Sequence, residues 1–298
     1  MTTTTQNRAS IAIVASTLLW GTWWIPLRQL DQAGVSSTWA NAAPMFLPLV
    51  ILLPFAFSRW RRIAKAGWHV YAAGFLIAAV VALYAEGLLR GQVARIVLLF
   101  YLTPVWSAIV GRIFLGVPIT RRRMLTIVLG LAGMAVVFGV DAGLPLPRSI
   151  AEWMALISGI LWAGGLVFLY RAETVPLFDK TFVLFLFLGV IYLGLSSIPG
   201  GGSWTVPVFD NIGLAVFWIA ALALMWVLPL LVLSVYAAGS IDPARVSILL
   251  TLEVVIGIST AALFTDEPFG FREGIGAVLI VAAGLMEFSF LPGTARKD

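Results

Sequence analysis

Ten long, mostly apolar segments follow one another along this chain, separated by charged residues, proline or glycine. They are numbered segments 1 to 10 and cover residues 10–30, 38–57, 67–89, 92–116, 122–140, 149–171, 178–198, 212–238, 243–265 and 272–291. Because an α-helix rises about 1.5 Å per residue, roughly 20 apolar residues cross a hydrocarbon core about 30 Å thick. The runs are continuous, whereas the strands of a membrane barrel alternate apolar and polar residues. The pattern therefore predicts an all-α integral membrane protein with ten transmembrane helices.

The composition agrees with a lipid bilayer as the solvent. Hydrophobic residues make up 61% of the 298 residues and charged residues 11%, whereas a soluble domain carries about 25% charged residues. So little polar surface does not cover a soluble fold of this length, which excludes a cytosolic enzyme and a secreted domain. Basic residues cluster in short loops, at 59–65 and 121–123. This indicates contact with anionic lipid headgroups and no nucleic-acid partner.

The residue types argue against a metal or cofactor site. The chain contains no cysteine and one histidine, His69, so neither a thiolate site nor a histidine cluster is predicted. The sequence also lacks a phosphate-binding loop of the G-x-x-x-x-G-K-[ST] type. Transport by such a chain would run on gradients, and its oligomeric state stays open.

The distribution of basic residues predicts the orientation in the membrane. If the N-terminus is cytoplasmic, fourteen of the 19 lysine and arginine residues fall on the cytoplasmic side and five on the other. Cytoplasmic loops are enriched in these residues. We therefore expect a multi-pass protein of the cell inner membrane with both termini in the cytoplasm, and an uncleaved segment 1.

An internal repeat divides the chain into two halves. Residues from Ala94 onward align with those from Ala244 onward at an offset of 150, and Leu19-Trp20 aligns with Leu161-Trp162 at an offset of 142. Each repeat then holds five segments, with residues 1–147 in the first and 148–298 in the second. Because five is odd, the second repeat must lie upside down relative to the first. Such inverted repeats are typical of secondary transporters, whose substrate site lies near mid-membrane between the halves.

The chain resembles the EamA-type drug/metabolite transporters. The resemblance rests on the 5+5 inverted repeat, on the Leu19-Trp20-Gly21 run in segment 1, and on Pro104 in a segment 4 that ends in a basic loop. Within that superfamily, the aromatic-rich sequence is similar to bacterial aromatic amino-acid exporters of the YddG type. The resemblance implies a central cavity lined by segments 1, 3, 4, 6, 8 and 9, with segments 5 and 10 as a scaffold.

Mid-span tryptophans are the first candidates for the walls of such a cavity. Trp20 and Trp24 share one face of segment 1, and Trp162 lies at the repeat-related position of segment 6. One indole from each half would stack on an aromatic or aliphatic substrate side chain. The alternative is a belt of tryptophans at the membrane interface. We favour the belt for residues near segment ends, such as Trp60 and Trp68.

Further candidate substrate-binding residues are polar side chains in segments 4 and 9 and tyrosines near the ends of segments 3 and 8. Pro104 frees the carbonyl of Phe100, which can then meet solvent or a ligand. For the serine and threonine hydroxyls, ordinary hydrogen bonding between helices is the alternative. The predicted substrate-binding residues are Trp20, Trp24, Tyr84, Tyr101, Pro104, Trp162, Tyr236, Ser247 and Thr251.

Glu253 is the acidic residue closest to the middle of a segment. A charged, unpaired side chain at the bilayer centre costs roughly 2.5–3.5 kcal/mol on insertion scales. Glu253 is therefore predicted to carry a proton or to pair with a substrate ammonium. The alternative is a structural hydrogen bond to a neighbouring helix.

These observations predict an exporter of amino acids, with a bias toward aromatic and hydrophobic ones, that works by alternating access. An exporter of other small metabolites or organic cations is the alternative within the same class. An intramembrane enzyme is the alternative from another class, and no catalytic residue is predicted: the sequence has no G-x-S-x-G motif and no aspartate-rich cluster, as serine or metal-assisted chemistry would require.

Overall fold

The computed structural model describes residues 3–35, 38–138, 146–196, 211–265 and 269–289, and these residues form helices and turns with no strand. The helices of the first repeat are α1 (Thr3–Gly21) and α2 (Trp24–Gln32) in segment 1, α3 (Thr38–Ser58) in segment 2, α4 (Trp60–Ala64) in the connection that follows, α5 (Trp68–Arg90) in segment 3, α6 (Val93–Phe100) and α7 (Thr103–Leu115) in segment 4, and α8 (Arg121–Phe138) in segment 5.

The second repeat follows the same plan. Its helices are α9 (Ile150–Arg171) in segment 6, α10 (Leu177–Ser196) in segment 7, α11 (Ile212–Ala221), a π-helical stretch (Leu222–Val227) and α12 (Leu228–Ala238) in segment 8, α13 (Pro243–Leu250) and α14 (Leu252–Phe264) in segment 9, and α15 (Phe271–Phe288) in segment 10. The ten helical segments are thus confirmed. The predicted last residues of segments 5, 7 and 10 lie outside the described residues, and the repeat boundary at 147/148 stays a prediction.

Eight of the ten helical segments are long and apolar enough to cross a membrane, judged by length and composition. Segments 5 and 10 are the other two, and their helices α8 and α15 have 18 residues each. Both begin with charge: α8 starts with Arg121, Arg122 and Arg123, and α15 carries Arg272 and Glu273 in its first turn. Their charges lie at the helix ends, where side chains reach the headgroup region.

Ion pairs mark one face of the bundle, which we call the N-terminal face because segment 1 starts there. Arg62, between segments 2 and 3, donates two hydrogen bonds to Asp179 at the start of segment 7, at 2.7 and 2.8 Å. Arg123, at the start of segment 5, donates to Asp242 ahead of segment 9 and to Glu287 near the end of segment 10, at 3.0 Å each. These pairs place ends of both repeats together.

The opposite face is held by a second set of contacts. Arg95, at the start of segment 4, forms an ion pair with Glu152 at the start of segment 6, with nitrogen–oxygen distances of 2.9 and 3.0 Å. Arg272, at the start of segment 10, donates to the carbonyl of Val137 at the end of segment 5. Successive segments therefore run in opposite directions across the membrane.

Segments 4 and 9 are both broken near their middle, at repeat-related positions. Segment 4 is interrupted at residues 101–102, just before Pro104, and segment 9 at Thr251. A glycine from the opposite repeat crosses each segment near the break: a Cβ on Gly159 would lie 2.9 Å from the carbonyl oxygen of Phe100, and a Cβ on Gly21 would lie 2.7 Å from that of Glu253. The breaks thus lie where helices of the two repeats are in close contact.

Segments 5 and 10 pack against each other through small residues. A Cβ on Gly133 would lie 2.8 Å from the carbonyl oxygen of Gly276, so only glycine permits this approach. Ala283 packs near Gly130 along the same line. The small residues of these helices therefore serve packing within one chain, and this agrees with the scaffold expected for the two segments.

Candidate functional site: a central cavity between the two repeats

A central cavity lies beside the broken parts of segments 4 and 9. The free space between its walls is about 500 Å³, counting the part that opens toward solvent. Segments 1, 3 and 4 of the first repeat and segments 6 and 9 of the second contribute side chains. The described residues that line it are Trp20, Val80, Val81, Tyr84, Phe100, Tyr101, Thr103, Trp162, Ser247, Leu250 and Glu253.

Aromatic rings form much of the cavity wall. Trp162 is 4% exposed, so its indole is fixed by packing on nearly all sides. The rings of Tyr84 and Phe100 lie 4.4 Å apart, and Phe100 meets Tyr101 edge to face with centroids 5.4 Å apart. The Trp20 indole stacks on that of Trp23 at 5.4 Å. Such rings offer faces for stacking on a ligand side chain or cation.

Glu253 is the one carboxylate among the described lining residues, and these include no lysine or arginine. The hydroxyl of Tyr101 donates a hydrogen bond to Glu253 Oε1. Segment 4 supplies the donor and segment 9 the acceptor, so the bond joins the two repeats inside the cavity. A group placed there can accept from a ligand ammonium through the remaining oxygen lone pairs.

The predicted serine and threonine sites differ in the structure. Ser247 lines the cavity and shares a hydrogen bond of 2.7 Å with Ser107, which connects segments 9 and 4. Ser247 therefore fits both predicted roles, as a polar group of the cavity wall and as a hydrogen-bond partner between helices. Thr251 is buried and donates to the carbonyl of Ile248 at 2.7 Å, so its hydroxyl is used within its own helix.

Four predicted residues do not line the cavity: Trp24, Pro104, Tyr236 and Thr251. Trp24 leaves the face of Trp20 because α1 ends at Gly21 and a turn precedes α2. Its Nε1 instead donates to Thr260 Oγ1 at 3.2 Å. The spacing rule that placed both tryptophans on one face assumed an unbroken helix.

The carbonyl freed by Pro104 is not open to a ligand. Phe100 O accepts a hydrogen bond from Thr103 Oγ1 at 3.0 Å, and Gly159 packs against it from segment 6. This corrects the expectation that the carbonyl meets solvent or substrate. Pro104 itself is buried as the second residue of α7, where proline is well tolerated.

Segment 8 contributes no described residue to the central cavity, contrary to the lining that the resemblance implied. Tyr236 packs instead against the main hydrophobic core. Segment 8 is widened by its π-helical stretch just before Pro229, and Trp226 in that stretch donates to Thr22 Oγ1 at 3.1 Å. Its contact is therefore with the turn of segment 1.

Five further residues line the cavity without having been predicted from the sequence: Val80, Val81, Phe100, Thr103 and Leu250. Val80 lies one helical turn before Tyr84, and this spacing was the available signal for segment 3. Phe100 and Leu250 correspond to each other at the repeat offset of 150. That symmetry could have identified both residues.

A second, narrower cavity lies on the other side of Trp162, with about 210 Å³ of free space between its walls when the part that opens toward solvent is counted. Segments 3, 6, 7 and 8 enclose it, and among the described residues Trp162 alone lines both cavities. Its described lining consists of Ile77, Trp162, Leu166, Leu169, Leu184, Leu231, Ser234 and Val235. No pattern in the sequence predicted this space.

Within the described residues, no group of three or more histidine, aspartate or glutamate side chains is placed to hold a metal ion. The arrangement instead offers aromatic surface, one carboxylate and a few hydroxyls. Chemically, these groups can bind an amphipathic solute with a positively charged end.

Comparisons with known proteins agree with the two-repeat arrangement. The EamA-like transporter family matches residues 7–139 and, a second time, residues 149–287. No curated protein matches the chain. The chain is similar to a solved crystal structure with a TM-score of 0.73, over 94% of this chain and 96% of that one, at 15% identity. At that identity the likeness shows a shared fold.

Proposed function

Because this chain belongs to the EamA-like transporter family, and thus to the membrane transporters of the drug/metabolite superfamily, we propose that it exports amino acids with aromatic or hydrophobic side chains. The proposal places it in the inner membrane with both termini in the cytoplasm. The N-terminal face is then the cytoplasmic face, and substrate moves from there through the central cavity.

The observation that carries the proposal is the aromatic cavity with one carboxylate at the meeting line of the repeats. An aromatic substrate side chain would stack on Trp20 and Trp162, and each such contact contributes about 0.5–2 kcal/mol. The substrate ammonium would face Glu253. Walls of this kind select for bulk and polarisability, so broad specificity among hydrophobic amino acids follows.

Alternating access explains why the cavity lies where it does. Tyr101 comes from the first repeat and Glu253 from the second, so rocking of the repeats against each other would alter the distance between these groups. Cysteine pairs test this, since the natural chain has no cysteine. Pairs near the two mouths should change accessibility in opposite directions when substrate is added, and identical changes at both mouths would contradict rocking.

A second candidate function is the export of organic cations. The observation that favours it is again the cavity lining, whose described residues combine aromatic rings with Glu253 and include no lysine or arginine to neutralise a carboxylate. Flat cations would use the same cation–π contacts as the ammonium of an amino acid.

Flux in proteoliposomes tests both functions. The purified protein is reconstituted into liposomes, which are loaded with labelled phenylalanine, tryptophan, threonine or alanine. Parallel samples are loaded with phenethylamine or with a flat organic cation. Amino-acid export is supported by phenylalanine flux that exceeds the flux of empty liposomes and is inhibited by tryptophan. Flux of cations without flux of any amino acid would overturn the first function in favour of the second.

A further inference from the structure

Tyr101 lies at the break of segment 4, where it is the first residue after α6. It is 4% exposed, and its ring meets the ring of Phe100 edge to face. Residues of segments 5, 9 and 10 pack with it in one buried cluster, which contains Met134, Val254 and Ile280. Packing from both repeats therefore fixes the ring, and the hydroxyl is the one polar group of this side chain.

Glu253 lies in the first turn of α14 and supplies the acceptor for that hydroxyl. Its Oε1 accepts from Tyr101, and within the described residues this is the one hydrogen bond of the Glu253 side chain. No lysine or arginine that the structure describes lines the cavity or forms an ion pair with this carboxylate. An ionised carboxylate accepts only, and an ammonium donates only. The phenol thus occupies a position on Glu253 that a ligand N–H can also use.

The bond from Tyr101 differs from the hydrogen bond between Ser107 and Ser247, which also joins segments 4 and 9. The two serines share a bond of 2.7 Å between neutral hydroxyls. A phenol that donates to an ionised carboxylate forms a charge-assisted bond, which is roughly twice as strong as a neutral one. Tyr101 and Glu253 both line the central cavity. A cation that enters the cavity therefore competes directly for the stronger of these two links between the repeats.

We propose that the Tyr101 hydroxyl takes the place of a substrate ammonium on Glu253 and thereby holds the empty protein in the conformation of this structure. A bound ammonium replaces the phenol, and the link between the two repeats is then released. This role rests on the proposed function and deepens it, because rocking of the repeats becomes dependent on an amino group in the cavity. Tyr101 is a positioning residue, since it acts through Glu253.

Two consequences follow for transport. An empty protein that is held in one conformation reorients slowly, so exchange of internal for external substrate is faster than net export, because exchange avoids the reorientation of the empty form. The substrate class is also narrowed to solutes that carry an ammonium. An aromatic carboxylate without one, such as 3-phenylpropionate, has no group that replaces the phenol on Glu253.

The first test measures exchange and net export of phenylalanine in proteoliposomes that contain the wild type or Tyr101→Phe, which keeps the packed ring and removes the hydroxyl. Loss of one hydrogen bond between membrane helices predicts that the ratio of exchange to net export falls by about threefold to tenfold in Tyr101→Phe. Tyr236→Phe is the matched control, because Tyr236 packs against the main core outside the central cavity. Its ratio should stay within about twofold of the wild type.

The second test needs no substrate. Val81 lines the cavity and is partly exposed, and the natural chain has no cysteine, so Val81→Cys reports from which side the cavity is open. An impermeant thiol reagent is added to membrane vesicles of either orientation. The empty protein should react mainly from one side, and Tyr101→Phe should lower the ratio of the two rates by about threefold to tenfold. Glu253→Leu removes the acceptor and should do the same, and the double variant should add nothing further.

Two outcomes would overturn the role of Tyr101. One is an equal fall of exchange and net export in Tyr101→Phe with an unchanged side preference of the cysteine, since the residue then only packs. The other is an unchanged ratio of exchange to net export. If Tyr101→Phe does not accumulate in the membrane, Glu253→Leu decides by the cysteine measurement. Failure of the proposed function is distinct: the wild type would move no phenylalanine, while the cysteine rates would still show whether the bond holds the empty protein.

Discussion

Segments 4 and 9 are repeat-related helices, both broken beside the central cavity, yet they carry different side chains there. At the offset of 150, Tyr101 corresponds to Thr251 and Thr103 to Glu253. Tyr101, Thr103 and Glu253 line the cavity, whereas Thr251 bonds within its own helix. The repeat thus sets where the wall lies, and the side chains make its two halves chemically unequal: one half supplies the acid and the other its phenolic donor.

The two breaks also differ in cause. Segment 4 has Pro104 just after its interruption, whereas the corresponding residue in segment 9 is Val254. A proline cannot donate to the preceding turn, which accounts for the longer break in segment 4. Segment 9 is interrupted at Thr251 without a proline, at the level where Gly21 packs against Glu253. A glycine of the opposite repeat packs against both breaks, so similar backbone geometry is reached with a local proline in segment 4 and without one in segment 9.

The largest expected effect comes from removing the acid of this pair. Glu253→Gln should lower net export by about tenfold or more and abolish its pH dependence. The reason is that the variant loses the buried carboxylate that would pair with the substrate ammonium or carry the proton. Exchange of internal for external substrate should persist if Glu253 carries the proton. The matched control is Thr103→Val at the repeat-related position, with an expected change below about threefold. Unchanged pH dependence in Glu253→Gln would remove the coupling role.

The second prediction concerns the aromatic walls from the two repeats. Trp20→Ala and Trp162→Ala should each lower phenylalanine or tryptophan flux more than threonine or alanine flux, by a further factor of about 2–30, since an aromatic contact contributes about 0.5–2 kcal/mol. Trp24→Ala, outside the cavity, is the control and should affect all four substrates alike. If Trp20→Ala or Trp162→Ala reduces all substrates equally at normal expression, that indole supports the bundle and not the pocket.

The third prediction tests the glycines that cross the two breaks. Gly21→Ala and Gly159→Ala should each lower the free energy of unfolding by about 1–3 kcal/mol, because the added Cβ meets a backbone carbonyl at 2.7 or 2.9 Å and helices must separate to admit it. The melting temperature in detergent measures this. Gly257→Ala is the control, since its Cβ would meet its nearest neighbour at 3.6 Å. Equal melting temperatures for Gly21→Ala, Gly159→Ala and Gly257→Ala would show that the helices are not tightly packed at the two breaks.

The smallest expected effect belongs to the hydrogen bond between Ser107 and Ser247. Hydrogen bonds between membrane helices average about 0.6 kcal/mol in double-mutant cycles. Ser107→Ala, Ser247→Ala and the double variant should show a coupling of that size in thermal stability. Because Ser247 also lines the cavity, Ser247→Ala should lower flux slightly more than Ser107→Ala does. The reverse order of fluxes would assign Ser247 a purely structural role.

Part of the cavity lining was predictable from the sequence. Sequence reasoning named Trp20, Tyr84, Tyr101, Trp162, Ser247 and Glu253, all of which line the cavity, since polar or aromatic side chains in mid-span are conspicuous in an apolar sequence. It misplaced Trp24 because the end of α1 at Gly21 rotates the following turn. Val80 and Leu250 were not identified, because the residue type of an apolar side chain does not show whether it faces a cavity or lipid.

The sequence by itself determined the number and extent of the helical segments, the two-repeat plan and the membrane as solvent, because these depend on the length and polarity of runs along one dimension. Only the tertiary structure decided that Tyr101 donates a hydrogen bond to Glu253, that the Phe100 carbonyl is occupied by Thr103, and that Ser107 pairs with Ser247. Those contacts depend on how each helix is rotated and how closely helices cross. Both are set by packing between residues far apart in the chain, which the spacing within one segment does not encode.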